Sequence, residues 1–323
     1  MISVIIVTKN RDSALRNISL PSLLAQDIAD FEVIIWDASE NDKSENIAGD
    51  FASLFTEKGI HFRYFRAPRV GSASQRNDSV KASVGNIIFF IDDDSEVSSD
   101  GIASLAKCFE EHPACMGAGL QLKDDQSETN QYLSLKKRMK EGLYALFGYV
   151  RKRIVHPSGS NKGLKSPPGP AEWLSGCSMA FRREVFDSMS LNEKLETFGG
   201  YAMSEDVEFS HRVFLRYGTP LLVPSEGYVI HHEVPDARES ISEKKIAMFF
   251  YNRYLVMQVA AVRAPFWGRV AFVWNFLRRS IKMFISSGFG VTLNGILLAL
   301  QEIFEYKKGS HADIKKLERE LPK

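Results

Sequence analysis

Cysteine is scarce in this sequence. Cys108, Cys115 and Cys177 are the only three in 323 residues, with no CxxC spacing and no histidines at metal-ligand intervals. That excludes a disulfide framework and a structural zinc site, and the three are read as reduced thiols, mostly in the core. A secretory leader is missing as well. The chain runs at once into "SVIIVTKNR" (residues 3–11) with no basic region, apolar stretch or cleavage site, so a cytoplasmic location is expected. Long apolar runs are also lacking: the one uncharged stretch of spanning length, 283–301, contains Ser, Thr, Asn and three glycines, which makes a poor transmembrane helix. There is no internal repeat, and no recognised binding module accompanies the basic residues, so nucleic acid is not expected as a partner.

Acidic residues vanish from one long segment. Between 244 and 301 there are eight Lys and Arg and no Asp or Glu. The whole chain is near neutral at +1, yet residues 1–240 carry 27 Lys and Arg against 34 Asp and Glu, and residues 241–323 carry 14 against 6. An acidic body over 1–240 is thus followed by a basic, apolar and aromatic region over 241–323 that reads as helices. Two roles stay open for that region. It could contact an anionic membrane surface, making the protein peripheral at the inner face of the cell membrane, or it could be a packing bundle, including a homo-oligomer contact.

With 44% hydrophobic and 25% charged residues, the chain is an ordinary globular composition rather than a disordered one. Its first third alternates strand and helix signals. "SVIIV" (3–7), "FEVIIW" (31–36), "HFRYF" (61–65) and "NIIFFI" (86–91) are short runs rich in β-branched and aromatic residues, separated by helix-length segments such as 13–26 and 73–84. This rhythm predicts an α/β fold, a Rossmann-like and mostly parallel sheet with helices on both faces, because parallel strands need crossover connections. Ligands of such sheets bind beyond the carboxyl ends of the strands. The polar residues there are Thr8, Asn10 and Arg11 after the first run, Asp37 and Ser39 after the second, and Asp92 to Glu96 after the fourth.

Three consecutive aspartates, in "FFIDDDSEVS" (89–98), repel one another and need compensation. Were the backbone extended through residue 94, Asp92 and Asp94 would point to one side and Asp93 to the other. Two carboxylates at the open end of a sheet suit a hard divalent cation, Mg²⁺ or Mn²⁺, and a bound metal is the expected compensation. Further on, Glu205 and Asp206 follow Ser204 and precede the amphipathic run Val207, Phe209, Val213, Phe214, placing both acids at a helix start, where negative charge is favoured anyway. His231 and His232 end the strand-like "GYVIHH". The stretch 156–172, "HPSGSNKGLKSPPGPAE", reads as an irregular loop of the kind that closes over ligands.

Taken together these segments resemble the inverting family-2 glycosyltransferases of GT-A fold. "SVIIVTKNR" is similar to that family's opening strand and nucleotide loop, and "FEVIIWDASEND" to its second strand with a base-binding aspartate. "VGSASQRNDSVKASVGNIIFFIDDDSE" is similar to its glycine, Arg/Asn helix and DxD segment, and "WLSGCSMAFRREVF" and "SEDVEFSHRVFLRYG" to its acceptor-side segment and ED helix. The resemblance covers roughly 2–235. It implies Thr8, Asn10, Asp37, Asp92 and Asp93 on the donor nucleotide and its sugar, Arg76 on the diphosphate or on neighbouring acids, and Asp94 with His231 as ligands of Mn²⁺ or Mg²⁺. It further implies Asp206 as general base with Glu205 beside it. The partners implied are a nucleotide-sugar donor and a saccharide or lipid-linked glycan acceptor, in bacterial polysaccharide or glycolipid synthesis. Trp36 and Ala38 flank Asp37 where smaller or more polar residues are usual, which leaves the donor's base and sugar open. Two other classes stand beside this one: a catalytically inactive nucleotide-binding scaffold of the same fold, and an Asp-dependent phosphotransferase, although Ser95 and Glu96 do not continue that motif.

Overall fold

The computed structural model describes residues 1–123, 152–199, 201–232 and 242–309. Strand β1 (Ile2–Thr8) is followed by a helical stretch over 12–24, then β2 (Phe31–Asp37), helix α1 (Lys43–Glu57), β3 (His61–Arg66), α2 (Ser72–Ala82) and β4 (Ile87–Asp92). These are the expected strands and helices to within a residue or two. They pair in the spatial order β3-β2-β1-β4, all parallel, with Thr8 level with Asp37 and Val7 level with Asp92. In-register pairing makes the strands end together, so their polar continuations share one rim. β1 and β2 are buried along nearly their whole length, as expected of strands covered on both faces.

The sheet continues past β4 with β6 (Met179–Arg182), which runs antiparallel to β4, and reaches eight strands among the described residues. A smaller sheet places β5 (Ser95–Val97) antiparallel to β7 (Tyr228–His231), with His231 level with Ser95. That pairing swings the histidine under the aspartate run. Helix α3 (Glu205–Tyr217) supplies the two acids from the other side.

The C-terminal helices are α4 (Glu243–Ala260), α5 (Pro265–Ser287) and α6 (Phe289–Gly309). α4 is hydrophobic all round because it is buried: Phe250, Tyr251, Tyr254 and Leu255 join one core with Phe90, Phe181 and Phe209 of the body. Helix α6 lies close on α4 because Gly295 has no side chain, and a Cβ there would stand 2.7 Å from Ile246. Residues 310–323 of the expected basic region lie outside the described residues. No helix among the described residues is long and apolar enough to cross a membrane.

The stretch 156–172 is more regular than its composition suggests. Ile154–Val155 and Asn161–Lys162 pair as a short hairpin. Its turn is fastened to α4 and α5, since Arg253 donates to the Gly159 carbonyl and Asn275 to Ser158 at 3.1 Å. Gly159 has φ +77° and sits so close to α4 that a Cβ would come within 2.7 Å of the Met257 nitrogen. The hairpin takes in the first part of the stretch, and residues 163–168 are irregular as expected.

Candidate functional site

The aspartate run ends its strand earlier than an extended chain would. β4 stops at Asp92, and Asp93 and Asp94 form a turn before β5. The alternation survives in effect: Asp92 and Asp94 face His231, while Asp93 turns back to β1. One carboxylate oxygen each from Asp92 and Asp94 and a ring nitrogen of His231 lie within 4.8 Å of one another. His231 Nε2 is 3.1 Å from Asp94 Oδ1 and 3.8 Å from Asp92 Oδ2. His232 goes elsewhere, its ring 2.7 Å from Glu96.

Part of the charge is compensated by the protein itself, which corrects the expectation that a metal alone does so. Arg11 pairs with Asp93 at 2.8 Å and also with Asp94. Arg76 pairs with Asp92 at 2.9 Å. Thr8 donates to Asp93 at 2.6 Å. Asp93 is nearly sealed from solvent, and burial pushes its carboxyl up to about 7 against the opposing pull of Arg11 and Thr8. Its side chain is therefore spent on β1 and the loop after it.

Asp37, at the end of β2, is fully buried and accepts from the Ser39 amide at 2.8 Å and the Tyr64 hydroxyl at 2.7 Å. Asn10 holds a left-handed backbone, φ 56°, which directs its N–H to the Ser39 hydroxyl at 2.7 Å. Non-glycine residues rarely adopt this conformation, and asparagine tolerates it best. Gln75 joins the two rim loops by donating to the carbonyls of Thr8 and Trp36.

The second half of the site begins at Ser204, also left-handed at φ 71° and making no side-chain cap. The strained turn presents both acids at the first turn of α3. Glu205 accepts from Arg76 at 2.8 Å. Arg76, only 2% exposed, therefore bridges Glu205 to Asp92 and links the Asp92–Asp94–His231 group to the acid pair. Burial pushes Glu205 up to about 8, opposed by Arg76. Asp206 Oδ2 accepts from the Gly176 amide at 2.9 Å and Oδ1 from the Val207 amide at 2.8 Å. Burial raises the Asp206 carboxyl above its ordinary range, with those two amides opposing.

Chemically the arrangement offers three side chains of mixed O and N type that could ligate a metal, a buried arginine beside Asp92, and a held carboxylate with a raised proton affinity. Residues 3–189 match the profile of glycosyl transferase family 2. The chain belongs to that family. Among its relatives, glycosyltransferase GlyA of Streptococcus pneumoniae is 25% identical over 134 residues, which is 42% of this chain and 18% of that protein. The uncharacterised glycosyltransferase EpsJ of Bacillus subtilis is 31% identical over 99 residues, 31% of this chain and 27% of that protein. The match thus spans about a fifth to a quarter of these curated relatives. Among solved structures, the mannosyltransferase PcManGT of Pyrobaculum calidifontis with GDP-Man and Mn²⁺ has a TM-score of 0.55 at 14% identity, covering 93% of this chain and 87% of that one. Residues 1–349 of TarS from S. aureus with UDP-GlcNAc give 0.53 at 18% identity, covering 81% and 65%. The fold is therefore GT-A, as the sequence motifs implied.

The structure brings Thr8, Arg76, Asp92, Asp93, Asp94, His231 and Glu205 into one run of contacts, with Asp206 adjacent to Glu205. Asn10 and Asp37 join on the neighbouring loop through Ser39. Sequence reasoning placed Arg11 on the rim without a role, and it missed Gln75, Tyr64 and Gly176. Only Arg11 had a local signal, its position directly after the nucleotide loop. The others act across sequence separations that no motif encodes.

Proposed function

We propose that this protein transfers a sugar from a nucleotide-sugar donor to a hydroxyl of a saccharide or lipid-linked glycan, with inversion and with a divalent cation, in bacterial polysaccharide or glycolipid assembly. The observation that supports it best is the unbroken line from the Asp92–Asp94–His231 cluster through Arg76 to Glu205 and Asp206. Asp94 and His231, with Asp92, would hold the cation, Mn²⁺ or Mg²⁺. When bound, the cation acts as a Lewis acid on the donor diphosphate. PcManGT with GDP-Man and Mn²⁺ and TarS with UDP-GlcNAc share the fold and support a donor of this class.

Asp206 takes the proton of the acceptor hydroxyl as that oxygen bonds to the anomeric carbon. The bond from that carbon to the diphosphate breaks on the opposite face, and its electron pair leaves with the nucleotide. The Gly176 and Val207 amides fix the Asp206 carboxylate, and each oxygen keeps a lone pair for the acceptor. Glu205 holds Arg76, and Arg76 in turn steadies Asp92 beside the leaving group. Thr8, Asn10, Asp37 and Asp93 shape the nucleotide side. The body over 1–240 carries this chemistry, and α4, α5 and α6 pack against it through their apolar faces.

Nucleotide sugars screened for protection against thermal unfolding, with and without Mn²⁺, should reveal a metal-dependent binder, since a ligand of the native state raises apparent stability. That donor should then be consumed with a glycan acceptor. Binding without transfer across a broad acceptor panel would replace this reading with the inactive scaffold.

A further inference from the structure

We propose that the outward faces of α5 and α6 dock this protein on an anionic lipid bilayer. On α5 the residues Trp267, Val270, Trp274, Leu277, Ile281 and Ile285 recur three or four positions apart and so form one stripe along the helix. All six are exposed, Trp267 by 69%, Trp274 by 68% and Ile285 by 83%. On α6 the residues Phe289, Leu293, Leu297, Leu300 and Phe304 make a second exposed stripe. Soluble proteins rarely leave apolar area of this extent and continuity in water. The opposite faces are spoken for: Phe276 packs 4.3 Å from Phe250, Phe272 lies 5.9 Å from Tyr254, and Ile296, Ala299 and Ile303 are buried.

Charge decides the occupant. Arg278 and Lys282 run along one edge of the α5 stripe and Arg269 along the other, and no Asp or Glu occurs from 244 to 301. Tryptophan with flanking cations is the composition of a helix lying in a bilayer interface. A second copy seated symmetrically would bring the same cations face to face, which is unfavourable. Spanning is excluded for these helices because neither is long and apolar enough to cross a membrane, and one face of each is packed on the core. Phe284 stacks on Phe289 at 5.1 Å across the turn at Gly288, so the two stripes meet at a fixed joint. Asn275 of α5 donates to Ser158 in the same hairpin turn whose Gly159 carbonyl Arg253 of α4 holds, so α5 and α4 are joined through that turn.

The test is flotation of the full chain with vesicles of phosphatidylcholine mixed with phosphatidylglycerol, against phosphatidylcholine alone. Binding should favour the anionic vesicles and weaken with salt. It should fall by about five-fold for each of Arg269→Gln, Arg278→Gln and Lys282→Gln. Trp267→Glu with Trp274→Glu and Ile281→Glu should abolish it while leaving nucleotide binding in solution intact, which shows that the fold and donor site survive. Equal flotation of the parent and the triple variant overturns the proposal, as does no flotation of the parent. A parent that sediments as a dimer and becomes a monomer in the triple variant, without vesicle binding, assigns the face to a second copy instead. Failure of sugar transfer with vesicle binding preserved counts against the proposed activity, not against the docking.

Discussion

Replacing Asp206 with asparagine tests the proton acceptor most directly, and the structure sets its size. The carboxylate accepts two backbone N–H groups, one on each oxygen. An amide has a single acceptor oxygen, so its NH₂ must face either the Gly176 or the Val207 N–H, donor against donor. One hydrogen bond is lost and a buried donor is left unmatched, costing about 1–3 kcal/mol of stability. Transfer should fall by about 10²–10⁴, the usual contribution of a general base. In the parent, burial raises the Asp206 carboxyl, so the active, ionised form is lost as pH drops through a value above the ordinary carboxylate range. That acidic limb should be absent from the residual activity of Asp206→Asn. The assay is single-turnover transfer across pH, with calorimetric nucleotide and Mn²⁺ binding and thermal unfolding alongside. Transfer at the parental rate, or an unchanged acidic limb, would remove Asp206 from its role.

Asp94→Ala should abolish divalent-dependent nucleotide binding with little loss of stability, because Arg11 retains Asp93; titration calorimetry with Mn²⁺ checks it, and unchanged metal dependence contradicts the assignment. Arg76→Met should cost about 3–5 kcal/mol in denaturant unfolding, because Asp92 and Glu205 then lose their shared buried cation; a cost under about 1 kcal/mol would mean the bridge is not structural. His211 is buried with its Nδ1 donating to the Glu172 carbonyl, and burial lowers it to about 4. The unfolded imidazole binds its proton near 6.5, so between those values the unfolded state holds more protons and stability is lost as pH falls, by about 3 kcal/mol in full. His211→Gln should flatten that part of the stability curve, and an unaltered slope would assign it to other groups.

The parallel sheet was legible because its strands β1, β2 and β4 are buried on both faces, and such burial writes continuous runs like "FEVIIW" and "NIIFFI" into the chain. The rim followed from that, since the loops after in-register strands must share one edge. The Asp92, Asp94 and His231 grouping was reachable only through the family pattern, because 136 positions of sequence lie between Asp94 and His231. Tertiary structure alone showed that Arg11 neutralises part of the aspartate run, and it put Arg76 on the neighbouring acids, one of its two expected partners. It also fixed the Gly159 turn on α4, which composition had read as a free loop. The C-terminal helices divide the same way. Their basic, acid-free composition is a property of the sequence, but a periodic apolar stripe looks alike whether it faces the core or the outside. Which stripe faces outward was decided by packing: α4 occupies the core beside Phe90 and Phe209, and the remaining apolar faces of α5 and α6 are left for another surface to cover.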